Sequence, residues 1–581
     1  MKLRSRTARV LAVLLAVVAG TIVWNAGSEG VGSAAAEPLK SIVPVPVSVQ
    51  AVPDAAYTIT MSTKIYVAPG ARAVGDYLAG VLRPSTGFPL DVVENPTPPD
   101  GIILQNASAP GNDQGYELIT STTSVTIRAS TNAGFMSGAQ TLRQLLPAKV
   151  EYRWQTPGPW TVPGAKISDY PRFPYRGAML DVARHFHPVA TVKRYLDQLA
   201  LYKINFFHLH LSDDQGWRIV VDSWPRLTTH GGSTQVGGGP GGFFTKDEYK
   251  DIVAYAAARQ ITVIPEIDLP GHTNAALSSY AELNCNGTAP PLRTDIEVGY
   301  SSLCISKDVT YKFVEDVIRE LAEITPGPYL HIGGDEANAT SDRDYQTFMD
   351  KVLPLVGKYG KKIFGWHEFV KTTKDTTVVP QYWGTTTSNA VVQAAAARGN
   401  KILMSPANKA YLDMKYNSST PLGLSWAGMI EVQDAYNWNP GTHVSGVQES
   451  SVLGVEAPLW TETIVKPEHI DYMVFPRLPA IAELGWSPWS THDWNAFKAR
   501  LGAQGARWNF MGIQFYRSTQ VPWDGGPTTT SPRPPTAWAA YTSYAAEDKV
   551  TYNGTTYKCL QQHMSLPGWE PPNARALWAP A

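Results

Sequence analysis

Two adjacent carboxylates, Asp335 and Glu336, are the side chains in this 581-residue sequence best suited to proton transfer. They follow a short apolar run and two glycines. A carboxylic acid beside a second carboxylate can cleave an acetal such as a glycosidic bond, by protonating the leaving oxygen and stabilising the positive ring. Side chains on a strand alternate in direction, so two neighbours fit poorly as an acid and a nucleophile facing across one bond. They fit better if the nucleophile is not a protein group.

The elements that must position these carboxylates recur from about residue 170 to 520. Short apolar runs, most followed by a helical pattern, occur at 178–180, 204–211, 261–267, 329–332, 362–364, 378–379, 402–404 and 452–455. Alternating strands and helices predict parallel strands with crossover helices, and eight of them predict a closed TIM barrel. Thr245 and Glu248 form a capping box that predicts the start of one of the helices.

The ends of these runs repeatedly combine carboxylates with tryptophan. The segments are 181–184, 210–213, 266–268, 333–336, 366–368, 382–383 and 456–462. In a TIM barrel the C-terminal strand ends carry the active site. Polar strand ends are typical of any such barrel, but they explain poorly the repeated pairing with tryptophan, whose flat apolar ring suits the faces of sugars.

The rest of the chain divides by composition. Residues 1–36 combine a basic start, an apolar run and an Ala-rich cleavage site, which predicts a signal peptide and a secreted, extracellular protein. We expect an N-terminal α/β domain at 37–168, the barrel at 169–523, a Pro/Thr/Gly linker at 524–536 and a small β-rich module at 537–581. Lys plus Arg (49) nearly balance Asp plus Glu (50), so no nucleic-acid partner and, after signal cleavage, no membrane partner is indicated.

The chain has three cysteines. Cys285 and Cys304 lie in one loop region and can pair in an oxidising compartment. Cys559 is left over, either as a buried small residue, which we favour, or as a free thiol.

Four segments resemble glycoside hydrolase family 20, the β-N-acetylhexosaminidases. They read YRGAMLDVARH (175–185), FHLHLSDDQGWR (207–218), PEIDLPGH (265–272) and HIGGDE (331–336). The resemblance implies a retaining, substrate-assisted mechanism, in which the substrate's acetamide attacks its own anomeric carbon and forms an oxazolinium ion. Glu336 would then be the acid and base, and Asp335 would orient the acetamide. It also implies that residues 37–168 are a non-catalytic domain.

The resemblance carries further roles, each by motif. It implies that Arg184 binds the 3- and 4-hydroxyls and Glu462 the 4- and 6-hydroxyls. Trp366, Trp383 and Trp460 would box the acetamide and the ring face, Tyr411 would donate to the acetamide oxygen, and Asp413 would bind the 6-hydroxyl. Asp213, Asp268 and His272 would support the acid, although an ion pair without a catalytic role remains an alternative for Asp268 and His272. One position departs from the family pattern, with His367 where the family has Asp.

The C-terminal module resembles carbohydrate-binding family 5/12, through AWAAY (537–541), DKVTYNG (548–554), YKC (557–559) and PGWEPP (567–572). Its proposed chitin contacts are Trp569 and Tyr557, for which core roles remain open.

We therefore expect an exo-acting enzyme on chitooligosaccharides or other glycans that end in GlcNAc or GalNAc, held on insoluble chitin by the module. The alternatives are a lacto-N-biosidase, which Arg184 and Glu462 argue against, and a non-catalytic chitin-binding lectin. No cofactor is implied, and no metal, since His208 and His210 lack a convincing ligand set.

Overall fold

A computed structural model describes residues 38–95, 98, 100–523, 536–539, 543–544, 548–561, 563–566 and 568–581. The predicted signal peptide and, apart from Thr536, the predicted linker lie outside the described residues. Among the residues described, none of the helices has the length and apolarity needed to span a bilayer.

Eight parallel strands close into a barrel, which confirms the predicted fold class. The strands are β10 (Tyr175–Asp181), β11 (Phe206–His210), β14 (Thr262–Glu266), β15 (Tyr329–His331), β16 (Lys362–Trp366), β17 (Val379–Tyr382), β18 (Ile402–Met404) and β19 (Val452–Leu459). Sequential strands are neighbours, and β19 returns to β10 with Tyr175 beside Gly454. A small hairpin, β12 (Ser212–Asp213) with β13 (Gly216–Trp217), follows β11.

Helices surround the barrel and fill the connections. They are α3 (Val189–Leu201), α4 (Arg226–Thr229), α5 (Lys246–Ala257), α6 (Asn274–Ser279), α7 (Asp308–Ile324), α8 (Asp342–Lys358), α9 (Ala390–Arg398), α10 (Ala407–Ala410), α11 (Val432–Tyr436), α12 (Pro467–Val474), α13 (Arg477–Trp486) and α14 (Trp494–Met511). The predicted capping box is confirmed at the start of α5, where Thr245 and Glu248 satisfy each other's backbone N–H groups.

The two ends of the barrel interior differ in polarity. At the N-terminal end Tyr175, the first residue of β10, stacks on Phe206 of β11 with ring centroids 4.2 Å apart. Tyr329 and Phe364 pack edge to face beside them. At the C-terminal end the strands finish in Asp181, His210, Glu266 and His331, all buried. Apolar rings therefore fill the N-terminal end, and the polar groups gather where the loops leave the strands.

The N-terminal domain is an α/β layer. Its strands are β1 (Ser48–Ala51), β2 (Tyr57–Thr58), β3 (Ile65–Val67), β4 (Val92–Glu94), β5 (Gly101–Asn106), β6 (Tyr116–Thr120), β7 (Ser124–Ala129), β8 (Thr161–Val162) and β9 (Ala165–Asp169), and its helices are α1 (Arg72–Thr86) and α2 (Asn132–Leu145). The seven-stranded sheet has the order β1-β9-β6-β7-β5-β3-β4. Fully buried Asp169 joins it to the barrel by accepting from Lys203 Nζ at 2.9 Å and Trp486 Nε1 at 3.0 Å.

The C-terminal module is built of short strands. They are β20 (Thr536–Ala537), β21 (Ser543–Tyr544), β22 (Lys549–Tyr552), β23 (Thr555–Cys559), β24 (His563–Met564) and β25 (Trp578–Pro580). Tyr544, Val550, Cys559 and Trp578 form its core. Cys559 is fully buried and its Sγ contacts the Gln561 carbonyl at 3.0 Å, which confirms the buried interpretation. Trp569 is 39% exposed, and Tyr557 is half-buried on β23.

Candidate active site

A cavity of ≈ 340 Å³ opens at the C-terminal ends of the barrel strands. Sites for small ligands are typically about 300–1,000 Å³. The predicted residues in its lining are Arg184, His272, Asp335, Glu336, Trp383, Tyr411, Trp460 and Glu462. The other lining residues are Ile296, Val298, Leu424 and Trp426. The sequence therefore predicted the polar part of the cavity and missed an apolar part.

The loop after β15 presents Asp335 and Glu336 in an unusual backbone conformation. Glu336 has φ +45°, and Gly333 and Gly334 have φ +66° and +99°. A side chain at Gly333 would meet Asp268, because an added Cβ would lie 1.7 Å from its Oδ1. Non-glycine residues rarely adopt positive φ, and such residues cluster at functional sites. The strand ends at His331, so strand alternation does not apply, and both carboxylates face the same imidazole.

That imidazole is His272, which connects the two carboxylates to Asp213. Its Nε2 lies 3.5 Å from Glu336 Oε2 and 3.7 Å from Asp335 Oδ2. Its Nδ1 lies 3.2 Å from Asp213 Oδ1. Burial opposes a charge on this ring, but Asp213 and Asp268 outweigh it and raise the pKa of His272 well above its ordinary value.

Asp268 and Asp335 form the second part of the cluster. Asp268 is fully buried and accepts from the Gly334 N–H at 2.9 Å. Burial and the neighbouring Asp335 raise the pKa of Asp268. Burial, opposed by His272 and reinforced by Glu336, raises the pKa of Asp335 to about 6. Asp335 therefore stays protonated to a higher pH than an exposed aspartate does.

Arg184 is held by two buried carboxylates. Its Nη2 lies 2.8 Å from Asp213 Oδ2 and its Nη1 3.5 Å from Asp181 Oδ2. Its guanidinium lies over the Trp460 ring, 4.8 Å from the centroid. Burial raises the pKa of nearby Glu462, and Arg184 opposes that shift. A fixed guanidinium fork and a carboxylate on one wall can bind vicinal hydroxyls.

The opposite wall is aromatic and is held by a carboxyl that the sequence analysis did not assign. The half-buried Trp383 donates its indole N–H to both oxygens of Glu368, at 3.0 and 3.1 Å. Burial and Asp335 raise the pKa of Glu368 to about 8. His367, the departure from the family pattern, is buried behind this wall and lies 3.0 Å from Asn389 Nδ2. Burial lowers the pKa of His367 to about 4.

Four predicted residues, Asp213, Asp268, Trp366 and Asp413, lie behind the cavity surface rather than on it. Trp366 is fully buried, and its ring centroid lies 5.7 Å from that of Trp460. Its indole N–H donates to Glu266 Oε1 at 2.9 Å. Asp413 is buried next to the Trp460 backbone N–H, at 3.5 Å. Burial and Glu462 raise the pKa of Asp413. Asp213 and Asp268 are the other two, and the roles assigned to all four remain predictions.

The apolar part of the cavity forms an exposed rim, which we define as Ile296, Val298 and Trp426, exposed by 46%, 44% and 54%. Ile296 and Val298 lie in the loop between Cys285 and Cys304. The predicted disulfide between these cysteines is confirmed, with Cα atoms 4.8 Å apart. These residues escaped prediction because they lie in loops far from any strand end. Exposed apolar side chains beside a carboxylate pocket mark a binding surface.

Three clusters of described residues hold donor atoms within 4.8 Å of one another, the spacing needed to bind a metal ion. They are His208, Glu266 and His331; Asp213, Asp214 and His272; and Asp268, His272 and Asp335. The imidazoles and carboxylates of these clusters largely contact one another, so their charges are balanced without an ion. We assign no metal site to them.

The barrel and the carboxylate-rich, sugar-sized pocket at its C-terminal face define the class of glycoside-cleaving TIM-barrel enzymes. Comparison with known proteins specifies the class further. The model of glycosyl hydrolase family 20, catalytic domain, matches residues 173–346 and 339–489, and that of domain 2 of the same family matches 40–170. The model of carbohydrate-binding module family 5/12 matches residues 537–579.

Similar proteins agree with these models. A β-N-acetylhexosaminidase of Cellulomonas fimi is 40% identical over 489 residues, which cover 84% of this chain and 97% of that protein. The structure of Streptomyces plicatus N-acetyl-β-hexosaminidase is 56% identical, covers 84% of this chain and 98% of its own, and has a TM-score of 0.82. The family 20 enzyme of Streptomyces coelicolor A3(2) is 55% identical with the same TM-score, and covers 84% of this chain and 99% of its own. The chain belongs to glycoside hydrolase family 20 and is a β-N-acetylhexosaminidase.

Proposed function

We propose that the enzyme removes single N-acetylhexosamine residues from non-reducing ends, with retention, through an oxazolinium ion. The observation that carries the proposal is the convergence of Glu336 and Asp335 on His272, 3.5 and 3.7 Å from its Nε2. Both carboxyls lie on one loop, which suits two different tasks better than attack and protonation from opposite sides. Glycosidases of this kind use the substrate's own acetamide as the nucleophile.

In the first step Glu336 gives its proton to the glycosidic oxygen while the C1–O bond breaks. The acetamide carbonyl oxygen bonds to C1 and closes the oxazolinium ring. Asp335, ionised, accepts the acetamide N–H and stabilises the positive charge. In the second step Glu336 takes a proton from water, the water oxygen bonds to C1, and the ring opens. Two inversions at C1 give net retention.

The wall formed by Arg184 and Glu462 supports the exo mode. A buried guanidinium fixed by Asp213 and Asp181 can bind the 3- and 4-hydroxyls and close the pocket behind a terminal sugar. The same wall disfavours a lacto-N-biosidase, which must admit a second sugar there. A structure titled as an exo β-N-acetylglucosaminidase from Vibrio harveyi, in complex with N-acetylglucosamine, is 28% identical with a TM-score of 0.71.

The rim supports chitooligosaccharides as substrates. Ile296, Val298 and Trp426 offer apolar surface on the open side of the pocket, where the leaving sugar would lie. A relative from Bombyx mori, 29% identical over 443 residues, is named a chitooligosaccharidolytic β-N-acetylglucosaminidase.

The mechanism is tested by hydrolysis of aryl β-GlcNAc and aryl β-glucoside. Wild type should hydrolyse the GlcNAc substrate and leave the glucoside almost untouched, because the glucoside has no internal nucleophile. Asp335→Asn and Glu336→Gln should each lower kcat/KM on aryl GlcNAc by at least about a hundredfold, the scale of acid–base assistance. Comparable turnover of the two sugars contradicts substrate assistance, and normal turnover by Glu336→Gln contradicts the acid assignment.

We further propose that the protein is secreted after cleavage near residue 36 and is held on chitin by its C-terminal module. Exposed Trp569 and half-buried Tyr557 are the proposed contacts. Trp569→Ala should weaken pull-down on insoluble chitin and leave turnover of soluble aryl GlcNAc unchanged. N-terminal sequencing of the protein from culture medium tests the cleavage.

A further inference from the structure

A chain of alternating imidazoles and carboxylates continues from the proposed acid site into the barrel interior. Its outer part, Glu336, His272 and Asp213, belongs to that site. Its inner part, which we call the floor chain, consists of His210, Glu266, His208 and Glu456. All four are fully or almost fully buried, and neither the motif roles nor the mechanism above uses them.

His210 is the link between the two parts. Its Nε2 lies 2.8 Å from Asp213 Oδ2, and its Nδ1 lies 2.5 Å from Glu266 Oε2. The Trp460 ring packs edge-on against it with centroids 4.8 Å apart. An imidazole with an acceptor on each nitrogen and a ring on its face has one orientation.

Further buried contacts fix the other members of the floor chain. Glu266 accepts from Trp366 Nε1 at 2.9 Å, and His208 Nε2 lies 2.9 Å from its other oxygen. His208 Nδ1 bonds Glu456 Oε1 at 2.8 Å, and Gln381 Nε2 donates to the same oxygen at 2.8 Å. Every link is buried, and the His210–Glu266 and His208–Glu456 links are hydrogen bonds, while His208 and Glu266 meet as an ion pair, so the chain can hold His210 rigidly.

Asp213 connects the floor chain to the proposed acid site. Its Oδ2 is shared by His210 and Arg184, each 2.8 Å away, and its Oδ1 faces His272 Nδ1 at 3.2 Å. Without His210, the contacts left to hold the carboxylate against the pull of Arg184 would be on Oδ1, which accepts from the Asp214 N–H at 2.6 Å and faces His272. Rotation of Asp213 toward Arg184 would then withdraw its other oxygen from His272, whose Nε2 faces Glu336.

We propose that His210, held by Glu266, is a positioning residue that keeps Asp213 and His272 aligned for proton transfer by Glu336. This inference rests on the proposed function, because it needs Glu336 as the acid. Proton donation matters most when the leaving group is poor. A positioning defect should therefore slow a phenyl β-GlcNAc more than a 2,4-dinitrophenyl β-GlcNAc, whose leaving group departs without protonation.

Two variants of His210 each keep one of its two hydrogen bonds and remove the other. His210→Asn places an amide near Nδ1, which keeps Glu266 and loses Asp213. His210→Gln places an amide near Nε2, which keeps Asp213 and loses Glu266. In the full-length protein, His210→Asn should lower kcat/KM on the phenyl substrate by about 30-fold or more and on the dinitrophenyl substrate by less than about fivefold, and His210→Gln should change that ratio less. A misfolded fraction lowers both activities equally, so the ratio is unaffected by it.

His187→Asn is the matched control, since this histidine is also buried but, among the described residues, its side chain bonds the Ile464 carbonyl alone, at 3.1 Å. Its substrate ratio should equal that of wild type. An unchanged ratio in His210→Asn, or equal changes in both His210 variants, overturns the inference. The variant Glu336→Gln distinguishes a failure of the proposed function from a failure of this inference. If Glu336→Gln does not change the ratio, the proposed function fails; if it does while His210→Asn does not, only this inference fails.

Discussion

The two sides of the pocket differ in burial and in charge. The inner side holds Asp335, His272 and Arg184 in buried, charged contacts, with His272 3% and Arg184 5% exposed at the side chain. The outer side is the rim, whose apolar residues Ile296, Val298 and Trp426 are roughly half exposed and lie in loops. Buried charges fix geometry, because leaving any of them unpaired costs several kcal/mol.

This difference separates two properties of the enzyme. The inner side should determine the bond that is cleaved and the sugar that is accepted, and changes there should affect every substrate. The rim should determine how the leaving part is held, and changes there should affect only substrates with a second sugar.

The largest effect is expected from Arg184→Lys. A lysine cannot reproduce the fork that holds Asp213 and Asp181 while binding two hydroxyls. We expect kcat/KM to fall by about a hundredfold, or about 3 kcal/mol for two charge-assisted hydrogen bonds, on both aryl GlcNAc and chitobiose. Steady-state kinetics on the two substrates measure it. Arg72→Lys, on the exposed pair with Asp76, is the control and should be within about twofold of wild type. A loss confined to chitobiose would contradict the separation.

The second effect concerns pH and stability at Asp335. Its pKa of about 6 lies above its ordinary value, so the ionised form is lost as pH falls through about 6. We expect kcat/KM to fall about tenfold per unit below that pH, as a property of the cluster with Asp268, His272 and Glu336. A pH profile without an acid limb between 5 and 7 (roughly one unit either side of that pKa) would contradict this assignment.

The same shift predicts that Asp335→Asn stabilises the fold. A folded pKa raised above the unfolded one costs stability once pH exceeds the folded value, and costs nothing below the unfolded value. The variant should therefore gain about 1–3 kcal/mol of unfolding free energy at pH 7–8 and lose that gain below about pH 4. Urea unfolding at the two pH values measures it, and an equal gain at both would show another cause.

The same contrast explains what the sequence could predict. The eight strands and the strand-end residues were predictable because apolar runs and strand ends leave local patterns. The run at 378–379 is the exception in extent, since it overlaps the strand Val379–Tyr382 at Val379 only. Ile296, Val298, Leu424 and Trp426 left no pattern, because loop residues reach the pocket only through the three-dimensional path of the chain. Strand alternation also misjudged Asp335 and Glu336, because the loop residue Glu336 has positive φ.

The third effect tests the rim directly. Trp426→Ala removes the aromatic ring of the rim, whose ring neighbours are Trp383 and Tyr411. We expect KM for chitobiose to rise about tenfold, since stacking on an aromatic ring contributes about 0.5–1.5 kcal/mol, and kcat/KM on a small alkyl β-GlcNAc to stay within about twofold. Trp489→Ala, an exposed tryptophan outside the pocket lining, is the control. Equal losses on both substrates would place Trp426 with the inner side.

The smallest effect on activity is expected at the disulfide, which fixes the rim loop without touching substrate. Cys285 and Cys304 are 19 residues apart and enclose Ile296 and Val298, so Cys285→Ser with Cys304→Ser should leave these two side chains on a looser loop. Unfolding free energy should fall by about 3 kcal/mol, and KM for chitobiose should rise about threefold while alkyl GlcNAc kinetics hold. Buried Cys559 stays in place in both proteins, so it does not contribute to the difference. A matching loss on alkyl GlcNAc would show that the same loop also supports the inner side. Tyr300 and Ser301 lie in that loop, and Ser301 donates to Asp214 at 2.6 Å. This outcome would therefore mean that the loop supports the inner side of the pocket through Asp214.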